Sequence, residues 1–106
     1  MGYAVAGNLL DACALGALSN APTYGYELTQ KIQTQLGVSE SALYPVLRRL
    51  LQSKLLASYD EQFDGRNRRY YKLTDFGKNA LNVYRADWLN YKNNVDSFLN
   101  GGNQSE

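Results

Sequence analysis

Apolar side chains recur near the end of the chain at Leu81, Tyr84, Trp88, Tyr91, Val95 and Phe98, separated by 3, 4, 3, 4 and 3 residues. That alternation keeps one stripe of a long helix on a single line and is the a/d spacing of a coiled-coil seam. It predicts a helix from about Asp75 to Leu99, with Thr74 as its cap and Asp75 favourable against its N-terminal dipole. At 1.5 Å per residue the seam runs roughly 25 Å. From Trp88 onward it extends past anything a three-helix domain can cover, so it asks for a partner surface. Folding back on the first helix of the same chain accounts for part of it, and both arrangements can hold together.

A second stripe lies in the middle of the chain. Leu43, Val46, Leu47 and Leu50 follow the i, i+3, i+4, i+7 pattern of a buried helix face. The opposite face of that helix carries Ser41, Tyr44, Pro45, Arg48 and Gln52, with Arg49 at its flank. Ser39 is its N-cap. Pro45 breaks a local rule, because a proline past the first turn deletes a hydrogen bond and crowds the carbonyl of Ser41; the helix either starts nearer Ser41 or bends.

Upstream, the pattern predicts a helix over Asn8–Leu18 that offers Leu9, Leu10, Cys13, Ala14, Ala17 and Leu18 for burial. Asn20-Ala21-Pro22 breaks it. A helix over Tyr24–Leu36 follows, with Thr23 as cap, Leu28, Ile32 and Leu36 one turn apart, and Gly37 closing its C-terminus. Only Gly37-Val38 then separates it from the next cap, as a helix-turn-helix requires. Strands are expected at Leu55–Tyr59 and Arg69–Leu73, around an Asp64-Gly65 turn in a loop longer than two residues. The fold class is therefore mostly α with a small β-hairpin (α+β): a winged helix-turn-helix over residues 1–74 and a long dimerisation helix over 75–100, one compact unit, with a disordered tail over 101–106.

Charge changes this picture. The chain has eleven Lys/Arg, ten Asp/Glu and a net charge of +1. Between Tyr44 and Lys72, however, seven bases face three acids, a net +4, while the remainder holds four bases and seven acids, a net −3. The basic part coincides with the third helix and the hairpin, where Arg66, Arg68 and Arg69 surround Gly65. Two guanidinium forks, a phenol and small polar side chains on one helix face suit a DNA groove. Taken singly, a basic helix face is ordinary solvated surface, and arginine on a hairpin guards against edge pairing. Together and in this order they point to double-stranded DNA.

The absences exclude much other chemistry. The chain has no histidine and one cysteine, so neither an N/S metal site nor a Ser-His-Asp or Cys-His arrangement can be built. Neither GxxxxGK[ST] nor GxGxxG is present, and no cofactor or metal is expected. Asp60, Glu61 and Asp64 fall in a turn region and read as solvated, so an enzyme is not expected. Cys13, alone among Ala12, Ala14 and Leu15, reads as a buried small hydrophobe. No apolar run is long enough to span a membrane. The start, MGYAVAGNLLDACALGAL, lacks the positive region of an export signal, which makes a cytoplasmic address the expectation.

Three ordered motifs resemble those of the PadR family of bacterial transcriptional regulators, over about Leu9 to Leu99. They are Tyr24-Gly25-Tyr26-Glu27-Leu28, the run from Ala42 through Leu43-Tyr44-Pro45-Val46-Leu47-Arg48-Arg49 to Leu50, and Arg69-Tyr70-Tyr71-Lys72-Leu73-Thr74 followed by Gly77. The single C-terminal helix is similar to that of the smaller subfamily. The resemblance implies a homodimer in which this helix packs with the first helix of the other subunit. It implies repression of a nearby transporter or detoxification operon, relieved by a small molecule. It also accounts for Pro45, since Leu-Tyr-Pro is the family's own sequence.

On that basis Ser41, Ala42, Tyr44, Pro45, Arg48, Arg49, Arg66, Arg68 and Lys72 are expected to meet operator DNA. Leu81, Tyr84, Trp88, Tyr91, Val95 and Phe98 are expected to form the dimer seam, with Trp88, Tyr84 and Tyr91 lining a site for a planar aromatic inducer. Lys31, Arg85 and Lys92 leave no acidic pocket for a cationic drug. Two other functions remain compatible with these residues. One is a winged-helix module that holds an acidic protein without binding DNA; the other is a small-molecule carrier built on the aromatic seam. A steep dependence of duplex affinity on salt separates the first of these from a DNA reader.

Overall fold

In the computed structural model, which describes residues 7–101, four helices surround a common core and a three-stranded sheet is attached to one side. The order is α1 (Gly7–Ala17), β1 (Thr23–Tyr24), α2 (Gly25–Leu36), α3 (Glu40–Gln52), β2 (Leu56–Phe63), β3 (Arg66–Leu73) and α4 (Asp75–Leu99). The α+β winged helix-turn-helix expected from the pattern is the fold observed. Apart from Gly101, the expected tail lies outside the described residues.

The core is built where the stripes meet. Leu10, Ala14, Leu15 and Leu18 of α1 pack with Leu28 and Ile32 of α2, the Leu43, Val46, Leu47 and Leu50 stripe of α3, Leu56 of β2 and Leu81 of α4. The helix ends follow local chemistry. Ser39 accepts from the Ala42 amide, Thr74 accepts from the Gly77 amide, and Gly37, at φ 68°, donates to the Gln33 carbonyl. Pro45 sits inside α3, which nevertheless starts at Glu40 and runs unbroken to Gln52. Ser41 and Pro45 are both exposed, so water can reach the carbonyl that proline leaves unbonded.

Three local expectations are corrected. Thr23 does not cap α2: its hydroxyl bonds to the Ala21 carbonyl, and Tyr24 takes the cap position without a side-chain bond. Thr23 and Tyr24 instead form a short edge strand opposite Tyr71 and Tyr70, giving the sheet order β1-β3-β2. The hairpin strands are longer than expected and their loop is only two residues, since Phe63 pairs with Arg66. Asp64 and Gly65 both have positive φ, 51° and 77°, the geometry of the tight turn that Asp-Gly favours. Cys13 is only half-buried, because it lies on the groove side of α1.

Gly77 joins α4 to the wing. A Cβ on it would stand 2.0 Å from the Leu55 carbonyl oxygen, so only glycine lets the first turn of α4 lie against the start of β2. Thr74 strengthens this joint by donating to the Lys54 carbonyl at 2.6 Å. Beyond Leu81 no residue of α4 is buried.

Candidate nucleic-acid interface

The apolar stripe of α3 faces the core, which leaves Ser41, Ala42, Tyr44, Pro45, Arg48 and Arg49 exposed on its other side. Tyr44 is pinned there: its hydroxyl donates to the Glu40 carboxylate one turn back at 2.8 Å. That acceptor, with its negative charge, raises the Tyr44 phenol above its ordinary pKa. Arg48 forms no ion pair among the described residues. Arg49 is different, because its guanidinium is bonded to the buried Asp11 of α1 at 2.5 Å. The two adjacent arginines are thus separated in role, one open to a ligand and one holding α3 to α1.

The hairpin likewise divides its basic residues. Side chains alternate across a strand, so Arg66, Arg68, Tyr70 and Lys72 share the outer face of β3, and Arg69, Tyr71 and Leu73 the inner one. Arg66 adjoins the turn. Lys72 pairs with Ala57 at the ribbon's base, six residues away and so about 20 Å from Arg66. Arg69 reaches Asp60 across the ribbon at 3.5 Å, while Arg68 lies over two aromatic rings. The basic tip expected around Gly65 is therefore a basic ribbon with one arginine, Arg66, at its end.

Between wing and helix lies a hollow of about 190 Å³, lined by Tyr24, Gly25, Tyr26 and Thr29 of β1 and α2, Tyr44 and Leu47 of α3, and Arg69 and Tyr71 of β3. Its tyrosines and Arg69 join the exposed face of α3 to the ribbon in one surface. Gly25 permits the close approach, since a Cβ there would come within 3.0 Å of the Tyr71 ring. Sequence reading singled out Tyr44 but not Tyr24, Tyr26 or Tyr71. The signal available was the density of tyrosine in the two motifs, Tyr24–Tyr26 and Tyr70-Tyr71.

A second site lies at the other end of the core. Leu9, Ala12, Cys13 and Gly16 of α1, with Leu36, face Leu81, Tyr84, Arg85 and Trp88 of α4 across an apolar groove of about 400 Å³. That volume is in the range of small-molecule sites. Burial raises the Cys13 thiol above its ordinary pKa, so it is present as the neutral thiol. Of the expected seam, Leu81 is buried and Tyr84 packs against the core, so this part does fold back on α1. Trp88, Tyr91, Val95 and Phe98 remain exposed, Phe98 by 85%. Tyr91 lies outside the groove, its ring 6.5 Å from that of Trp88.

A two-helix reading head, a basic wing and a protruding helix define a winged-helix transcriptional regulator. Residues 14–83 match the model of the transcriptional regulator PadR-like family, and the chain belongs to that family. It is a DNA-binding regulator and not an enzyme. Among solved structures it is similar to smu.1704 from Streptococcus mutans, with 33% identity over the whole of both chains and a TM-score of 0.88. It is also similar to a PadR-like transcriptional regulator from Bacillus cereus, at 31% identity, 93% and 95% coverage of this chain and that one, and a TM-score of 0.78. An uncharacterised protein of Lysinibacillus sphaericus is 32% identical over 97 residues, which are 87% of this chain and 89% of the relative. Among the described residues no helix is long and apolar enough to cross a membrane.

Proposed function

We propose that this chain works as a homodimeric, ligand-responsive repressor of a nearby transporter or detoxification operon, acting in the cytoplasm. Each protomer presents α3 to one half of a two-fold operator, with half-sites about one helical turn apart. Ser41 and Ala42 allow the helix to approach, Tyr44 and Pro45 meet the groove wall, and Arg48 reads a base edge. Arg66 meets the phosphate backbone or a narrow minor groove. Lys72, at the base of the ribbon, adds to the attractive field. Arg49 and Arg68 serve the same surface while held by the protein, Arg49 by Asp11 and Arg68 by the wing's rings.

The observation that carries this reading is Arg48, with no ion-pair partner among the described residues, on an exposed α3 face beside a basic ribbon. The α1–α4 groove, with Tyr84 and Trp88 in its wall and Tyr91 beyond, suits a planar aromatic inducer. Occupancy of that groove shifts the spacing of the two α3 helices and releases the DNA.

Selection from a random duplex library, followed by footprinting, tests the reading. The expected result is an enriched inverted repeat, with affinity that falls steeply as salt rises. Arg48→Ala should cost about 1–3 kcal/mol and relax one base position. Enrichment of no sequence, with equal retention of duplex and acidic protein, would favour an interaction module instead.

A further inference from the structure

The outer face of the wing carries a row of aromatic rings around Arg68. Register places Phe63 and Tyr59 of β2, Arg68, Tyr70 and Lys72 of β3, and Tyr24 of β1 on one side of the sheet. Tyr59 and Tyr70 stack with centroids 5.5 Å apart and planes within 11°. The Tyr70 ring in turn lies 5.8 Å from that of Tyr24. The guanidinium carbon of Arg68 stands 3.9 Å from the centre of the Phe63 ring and 4.4 Å from that of Tyr24.

This placement is informative because a carboxylate is at hand. Glu61 is directly opposite Arg68 in the register, yet Arg68 forms no ion pair among the described residues. Arg68 is half-buried, whereas Arg66 and Lys72 on the same face are exposed. One ring comes from β1 and the other from β2, so the cation clasps both outer strands across β3. The distal ribbon needs such a clasp. Every residue from 60 to 67 is exposed, and a two-stranded ribbon without a core beneath it is only marginally ordered.

We propose that Arg68 is a positioning residue for DNA binding, and that the Phe63–Arg68–Tyr24 sandwich fixes the reach of the wing so that Arg66 meets the phosphate backbone already ordered. This rests on the DNA-binding function above. A wing ordered before contact loses less conformational freedom on binding, and the gain appears as affinity. Such a contribution carries no counterion release, so it leaves the salt slope unchanged.

The test uses the intact chain and a duplex that the unaltered chain enriches from a random library, with affinity measured over a range of salt. Phe63→Leu, which keeps the net charge, should weaken binding on the order of five-fold at an unchanged slope. Phe63→Tyr, which keeps the ring, should restore it. Arg68→Ala should weaken binding by a similar factor, also at an unchanged slope. The double variant Phe63→Leu/Arg68→Ala should be no weaker than Arg68→Ala alone. Arg66→Ala, by contrast, should lower the slope by about one unit. Thermal midpoints confirm that each variant is folded at the assay temperature. If Phe63→Leu binds as tightly as the unaltered chain, the positioning role is overturned while DNA binding stands; if Arg68→Ala lowers the slope by about one unit, it is overturned because Arg68 is itself a phosphate contact. If the unaltered chain enriches no duplex, the function proposed above fails, and this inference with it.

Discussion

Arg48 and Arg49 show how far a residue's neighbours in sequence understate its role. Both project from the basic flank of α3, but Arg49 closes a bond to Asp11, 38 residues earlier, whose side chain is only 12% exposed against 51% for its own. The partner could not be read from the pattern. α1 is apolar nearly all round, so its period does not say which face turns inward: Leu15 is fully buried though not among the expected core positions, while Leu9 and Cys13 face the groove. The unequal exposure makes the pair asymmetric. Removing Arg49 leaves a carboxylate desolvated and unpaired; removing Asp11 leaves a guanidinium that can turn to water. Arg49→Ala should therefore cost about 1–2 kcal/mol and Asp11→Ala distinctly less, after discounting for the exposed side of the pair. Urea unfolding of both variants checks this, and equal losses would mean that the pair does not anchor α3.

At the scale of elements, the helices were legible and the sheet only in part: the hairpin was expected, but not the ends of its strands or the edge strand beside it. The helices α2, α3 and α4 each announce themselves twice, by an apolar period and by a cap, Gly37, Ser39 or Thr74. The ribbon has neither. Its residues from Asp60 to Arg69 are almost all polar because no core lies beneath them, so no alternation marks the strand ends. The edge strand Thr23–Tyr24 is equally silent: Thr23 reads as a cap, and only the long-range pairing with Tyr70 and Tyr71 draws it into the sheet. The one strong local signal was Asp64-Gly65, and the structure follows it to the tightest loop. Gly65→Ala forces a side chain into positive φ and should cost about 1 kcal/mol, or about 4–8 °C in thermal midpoint. Asp64→Asn, which suits the same turn, should change stability by less than ~0.5 kcal/mol. Calorimetry on the two variants separates them; a larger loss in Asp64→Asn would show that the acid, and not the turn geometry, sets the hairpin.

For the whole molecule, the unresolved demand is made by α4. Over 25 residues it spans about 37 Å, yet only Gly77 and Leu81 are buried, and Tyr91, Phe98 and Leu99 are 63%, 85% and 70% exposed. Large apolar side chains in such a row mark an association surface. A second copy suits it, because a two-fold pairing covers the same exposed stripe on both chains at once. The seam's 3,4 spacing made this demand legible in the sequence; which of its residues fold back on α1 was not, because spacing does not tell one apolar neighbour from another. The chain should therefore sediment at about twice its 11.9 kDa mass. Val95→Asp, which places a charge in the exposed seam and leaves the groove intact, should give a folded monomer that footprints no more than a half-site. Trp88 supplies an independent readout as the only tryptophan in the chain. Planar aromatic compounds should quench its fluorescence and release DNA over the same concentration range. Stacking contributes about 0.5–1.5 kcal/mol per ring, so Trp88→Ala should weaken that response by roughly three- to ten-fold while the dimer persists. A Trp88→Ala dimer with full inducer response would make the tryptophan plain packing, and a monomeric unaltered chain at micromolar concentration would remove the two-fold reading head altogether.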